Sequence, residues 1–217
     1  ALIFVPIFFF FFLFGGLPLE IFCVLIACIA AWEFYRMTHV SLSMSIIGYI
    51  FTLLFAALTV GWLPASFHAV ILSASLLSVC GAVVILENPS GEVLKTIGYV
   101  MFGALYAGTL LPILAALRDL PKDGLGVSFL ALFCTWASDT AAYFVGHAVG
   151  KRKLAPTVSP GKTIEGACGG VIASIAMGFF IAHLFHLPIQ TVPLFFLTAF
   201  AAIFGIIGDL AESFFKR

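Results

Sequence analysis

Two aspartates, Asp139 and Asp209, interrupt apolar runs long enough to be helices inside lipid. A carboxylate in such a place is costly, so it points first to ion binding, acid–base work or charge pairing. Helical spacing puts Trp136, Asp139, Tyr143 and Gly146 along one stripe, and Asp209, Ser213 and Lys216 along another with Glu212 alongside. Each acid could also pair with a neighbouring helix and simply hold a bundle together. Trp136 and Tyr143 read equally as interfacial anchors or packing residues.

The densest polar stretch runs from Lys151 to Gly166, as KRKLAPTVSPGKTIEG. Ser159 suits an N-cap and Pro160 a first helical position, which predicts free N–H groups and a positive helix end beside Lys162 and Thr163. That combination would take an anion such as phosphate; a basic loop resting on anionic headgroups is its plainer use. Gly161-Lys162-Thr163 superficially matches the end of a P-loop, but Pro156 stands where that loop needs its first glycine. Gly166, Gly170, Ser174 and Gly178 form a small-residue stripe suited to helix packing. His39, His68, His147, His183 and His186 make no metal-ligand cluster and read as interfacial polar residues. Cys23, Cys28, Cys80, Cys134 and Cys168 lack CxxC spacing and read as buried free thiols. Glu33, Glu87 and Glu92 fall near helix ends, where a solvated charge suffices.

These residues must be positioned by helices in a membrane. Of 217 residues, 63% are hydrophobic and 9% charged, with a mean hydropathy of +1.20, far outside the soluble range. A span needs roughly 20 apolar residues, and charges and Pro/Gly turns divide the chain into about eight candidates. They fall near residues 2–14, 18–35, 43–62, 66–86, 93–117, 127–150, 164–186 and 191–212, the first too short to cross on its own. The fold expected is all-α, a polytopic transmembrane helical bundle. Residues 1–120 are expected to supply a scaffold with possible oligomer contacts, and residues 121–217 the catalytic region with its basic loop at 151–165.

Ten Lys+Arg balance ten Asp+Glu, so nothing in the charge calls for nucleic acid as a partner. With eight spans, Arg36, Lys95, Lys151, Arg152, Lys153, Lys162, Lys216 and Arg217 fall on one side, and Arg118 and Lys122 on the other. The basic side is expected to be cytoplasmic. The 151–165 segment and the end of the chain share that face.

Ser159-Pro160-Gly161-Lys162-Thr163-Ile164-Glu165-Gly166, preceded by Asp139, Tyr143 and Gly146, resembles the CDP-diacylglycerol synthase (phosphatidate cytidylyltransferase) family. Gly208-Asp209-Leu210-Ala211-Glu212-Ser213-Phe214-Phe215-Lys216-Arg217 is similar to the opening of that family's C-terminal signature. The likeness is specific over about 136–170 and 205–217; the first 120 residues match only in being hydrophobic and helical. The signature continues through Lys-Asp, His-Gly-Gly and Asp-Arg segments beyond Arg217, so the resemblance implies a chain truncated before the family's C-terminal segment.

The resemblance implies that a phosphatidate oxygen attacks the α-phosphorus of CTP, releasing pyrophosphate and leaving CDP-diacylglycerol in the membrane. It implies Mg²⁺, as one or two ions or with a monovalent cation, held by Asp209 and by Asp139. Ser159, Lys162 and Thr163 would bind phosphate oxygens, with Glu165 positioning Lys162. Lys216, Arg217 and Ser213 would act at the triphosphate or the lipid headgroup, Tyr143 at the substrate, and Lys151 and Lys153 as electrostatic attractors. A bacterial inner membrane, an active site facing the cytoplasm and a possible homodimer are further expectations. Three other readings compete: a CTP-dependent lipid-alcohol kinase, an intramembrane aspartyl protease using Asp139 and Asp209, and an ion-coupled transporter with a helix broken around Gly205 and Gly208.

Overall fold

The computed structural model describes residues 4–86 and 92–215. Residues 1–3 and 87–91, Lys216 and Arg217 lie outside the described residues. The chain divides into two compact units, 1–120 and 121–217.

The first unit carries α1 (Phe4–Phe14), α2 (Gly16–Met37), α3 (Leu42–Thr59), α4 (His68–Leu86), α5 (Val93–Leu105) and α6 (Ile113–Arg118). The second carries α7 (Gly124–Val149), β1 (Lys153–Ala155), β2 (Ser159–Thr163), α8 (Ile164–Leu184) and α9 (Thr191–Phe215). Among the described residues, seven helical stretches are long and apolar enough to cross a membrane. The helix α1, with 11 residues, falls short of the hydrocarbon thickness at 1.5 Å per residue. The expected polytopic helical bundle is what the chain forms, with one small two-stranded sheet in addition.

In the first unit, Met44, Phe51 and Phe55 of α3 pack with Val79 and Val83 of α4 and with Val100 and Ala104 of α5. The Tyr35 ring is 1% exposed and sits between α3 and α5, its hydroxyl donating to the Val100 carbonyl at 2.9 Å. A Cβ at Gly48 or at Gly103 would stand 2.5 Å from that ring, so both positions need glycine to admit it.

The expected span at 93–117 is not one continuous α-helix. Tyr106–Leu110 forms a π-helical turn between α5 and α6. Pro112 has no N–H with which to bond the Gly108 carbonyl four residues back, and the Thr59 hydroxyl reaches that carbonyl at 3.4 Å. Charged side chains close the α1–α2 turn. Arg118 donates to the Phe12 and Leu13 carbonyls at 3.1 and 3.0 Å, and Asp119 accepts from the Gly16 N–H at 2.8 Å. These contacts satisfy backbone groups that helix ends leave open. Trp62 donates its indole N–H to Glu20.

In the second unit, α7 and α8 approach closely because small residues face one another. A Cβ at Gly166 would lie 2.6 Å from the Ala142 carbonyl, and one at Gly170 2.9 Å from the Ser138 hydroxyl. Further along, Cys134 donates its thiol to the Ser174 carbonyl at 3.5 Å and Ser174 donates to the Thr198 carbonyl at 2.9 Å, polar links of the kind that join membrane helices. The small-residue stripe is therefore occupied by packing within the chain. The helix α9 runs unbroken through Gly205 and Gly208, which corrects the broken-helix expectation behind the transporter reading. The thiols are free, as expected, but only Cys23 and Cys134 are buried; Cys28 and Cys80 are half-buried and Cys168 is exposed.

Candidate active site

The polar stretch between α7 and α8 folds as a hairpin instead of a loop. Lys153 pairs with Thr163 and Ala155 with Ser159, antiparallel with an irregular register between them. The chain reverses over Pro156, Thr157 and Val158, where the Val158 N–H donates to the Ala155 carbonyl at 3.2 Å. The hairpin is pinned to both helices. At the end of α7, a Cβ on Gly150 would collide with the Gly146 carbonyl and crowd Thr163.

This pairing corrects the expected start of α8. Ser159 and Pro160 belong to β2, and the helix begins at Ile164 with Thr163 as its N-cap, the hydroxyl accepting from the Gly166 N–H at 3.1 Å. The Ile164 N–H donates to the Arg152 carbonyl at 2.9 Å. The helix start expected at Ser159, with its free N–H groups beside Lys162 and Thr163, is therefore not formed, because strand pairing claims Ser159–Thr163. Glu165 does not position Lys162 either. Its carboxylate accepts from the Lys151 and Arg152 N–H groups at 3.0 and 3.1 Å, tying the entry of the hairpin to α8.

Lys162 instead reaches α9, with its Nζ 3.1 Å from Asp209 Oδ2. The Asp209 side chain is 50% exposed and that of Lys162 25%, and a pair so open to solvent contributes only about 0–1 kcal/mol to stability. Its placement is better explained by what it faces. Lys162 and Asp209 line a cavity of about 550 Å³ together with Asp139, Tyr143, Lys153 and Ser159, within the roughly 300–1,000 Å³ of small-molecule sites. Thr163 borders it as well, with its hydroxyl oxygen committed to the cap.

Some expected site residues lie elsewhere. Lys151 and Glu165 are absent from the cavity lining, and Glu165 borders an apolar groove between α7 and α8. Ser213 turns back on its own helix, donating to the Asp209 carbonyl at 2.8 Å. Lys216 and Arg217 lie outside the described residues. Conversely, the cavity includes His147, which the sequence reading set aside as an interfacial residue. Its signal was present: His147 follows Tyr143 by four positions, on the stripe that carries Asp139.

Among the described residues, no three His, Cys, Asp or Glu side chains converge as a ready-made metal cluster. Asp139 and Asp209 nevertheless offer carboxylate oxygens at one cavity. That donor set fits a hard divalent cation of the kind bound by one or two carboxylates, with substrate oxygens and water completing its shell.

Membrane-crossing helices, with Asp139, Lys153, Lys162 and Asp209 of the second unit lining a cavity beside the hairpin, define a multi-pass membrane protein with a polar site in that unit. The cytidylyltransferase family profile matches residues 1–217. The chain is 34% identical over its whole length to the phosphatidate cytidylyltransferase of Staphylococcus haemolyticus, covering 81% of that protein. It is 38% identical to the enzyme of that name from Bacillus subtilis across 56% of this chain and 45% of that protein. The corresponding Haemophilus influenzae protein is 37% identical across 50% of this chain and 42% of its own length. The chain belongs to the cytidylyltransferase family, a family of nucleotidyltransferases.

Proposed function

We propose that the chain carries out the reaction named for its relatives, transferring the cytidylyl group of CTP to phosphatidate. A phosphate oxygen of phosphatidate forms a bond to the α-phosphorus of CTP, and the bond from that phosphorus to the β-phosphate bridging oxygen breaks. Pyrophosphate leaves with the electron pair, and CDP-diacylglycerol stays in the membrane. The observation that carries this reading is the Lys162–Asp209 pair at 3.1 Å, held over a cavity that also contains a second membrane aspartate, Asp139.

Both substrates are anions, so bringing them together is chiefly a problem of charge. Asp139 and Asp209 would hold Mg²⁺, which supplies charge neutralisation at the triphosphate when bound. Lys162 and Lys153 bind phosphate oxygens, and Ser159 offers a hydroxyl at the same wall. Lys162 also neutralises Asp209 until a phosphate competes for its ammonium group. Lys151 and Arg152, outside the cavity, raise the local concentration of anionic lipid and nucleotide. Lys216 and Arg217 are proposed to clamp the triphosphate or the headgroup. The site faces the cytoplasm of a bacterial inner membrane, where CTP is available and phosphatidate can approach from the bilayer.

The test is CTP-dependent formation of CDP-diacylglycerol from phosphatidate by the full native-length protein in liposomes, with and without Mg²⁺. Product that needs both CTP and Mg²⁺ supports the reading. Phosphorylated lipid in place of CDP-lipid would replace it with the kinase reading.

A further inference from the structure

Charged groups account for the anionic parts of the proposed substrates, and leave unassigned the wall of the cavity formed by Tyr143 and His147 on α7. The two residues stand one helical turn apart, the spacing that brings side chains onto one face. Their rings lie 7° from parallel with centroids 6.3 Å apart. Both residues are exposed, Tyr143 at 69%, so neither ring is used up in a hydrophobic core.

A nucleoside triphosphate has two chemically distinct ends, a polyanion and a flat heterocycle. Lys153 and Lys162, with a cation on Asp139 and Asp209, have chemistry for the first, and none of the four presents a flat face to the second. A flat heterocycle binds by stacking on aromatic faces, largely irrespective of which base it is. One laid against either ring of this pair is within 7° of parallel to the other. We infer that Tyr143 and His147 form the shelf on which the pyrimidine ring of the nucleotide stacks. His147 is thereby a substrate-binding residue, and the triphosphate runs from this shelf toward Lys162. This assignment rests on the cytidylyl-transfer reading and adds to it the place of the base.

The experiment uses full native-length protein in detergent and measures KM for CTP and for phosphatidate, with inhibition constants for cytidine monophosphate and for pyrophosphate. Removing both flat faces, in a Tyr143→Leu, His147→Leu double variant, is expected to raise the CTP KM and the cytidine monophosphate constant roughly ten-fold. Pyrophosphate inhibition and the phosphatidate KM stay within about two-fold. Restoring one flat face, with His147→Phe in place of His147→Leu, recovers most of the lost affinity.

Equal weakening of pyrophosphate would overturn the assignment by putting the rings at the phosphates. A rise confined to phosphatidate would overturn it by putting them at the lipid headgroup. Unchanged constants in a variant that elutes and melts like wild type would overturn it too. Absence of CDP-lipid from the wild type is a different failure, since it removes the parent reaction itself.

Discussion

The two units are built from the same apolar helices but employ their charges differently. In residues 1–120, Arg118 and Asp119 are bonded to backbone groups at the ends of α1 and α2, and Lys95 pairs with Glu92 within one turn at 2.7 Å. Arg118 and Asp119 thus complete hydrogen bonds that helix ends leave open, and Lys95 and Glu92 neutralise each other. In residues 121–217, Asp139, Lys153, Lys162 and Asp209 face a cavity, and the Lys162–Asp209 pair adds little to stability. A charge in a membrane protein therefore carries functional weight according to what it touches: backbone groups at helix ends for Arg118 and Asp119, an open cavity for Lys162 and Asp209.

The sharpest way to break this contrast is Asp209→Asn. It should lower kcat for CDP-diacylglycerol formation by about 10³-fold while leaving the elution profile and melting temperature near wild type. Asp119→Ala, which removes the acceptor for the Gly16 N–H, should do the reverse, retaining kcat and lowering the melting temperature. Similar behaviour of the two variants would erase the distinction between the units.

A second test strikes the packing that supports the hairpin. Gly166→Leu forces a side chain toward the Ala142 carbonyl, where even a Cβ would lie 2.6 Å away. It should destabilise the protein by about 1–3 kcal/mol or more, with activity falling in step with the folded fraction. Arg118→Met removes two donors from the end of α1 and should cost about 1–2 kcal/mol, read by thermal unfolding in detergent with kcat intact. The smallest effect belongs to Lys151→Ala, outside the cavity. It should raise the apparent KM a few-fold at low salt, with kcat little changed, and the difference should shrink as ionic strength rises.

Much of this architecture can be read directly from the residues. The spans follow from hydropathy and from Pro/Gly punctuation, and Asp139 and Asp209 stand out because the helices around them are so apolar. The hairpin does not stand out. Its strands have three and five residues, too short for a period to register, and Ser159-Pro160 imitates a helix start. Thr163 was an equally competent cap; only the pairing of 153–155 with 159–163 decides between them. That same pairing leaves Lys162 free to meet Asp209, a contact across 47 residues with no local signature. The π-helical turn had a partial signal in Pro112, whereas the Thr59 hydroxyl that meets its Gly108 carbonyl comes from another helix and has no local signature. His147 has no metal-ligand spacing to mark it; what distinguishes it is the ring of Tyr143 one turn away.

The closure of the α1–α2 turn bears on how the chain is made. Arg118 lies 106 positions beyond Phe12, and Asp119 lies 103 beyond Gly16. A ribosome has therefore delivered the sequence of α1 through α6 before the α1–α2 turn receives its side-chain partners. Until then the carbonyls of Phe12 and Leu13 lack the Arg118 donors, and ring contacts of Phe22 with Phe8 and Phe11 join the two helices. The first unit locks from its far end backwards, so a nascent chain halted before residue 118 should leave that turn accessible to protease.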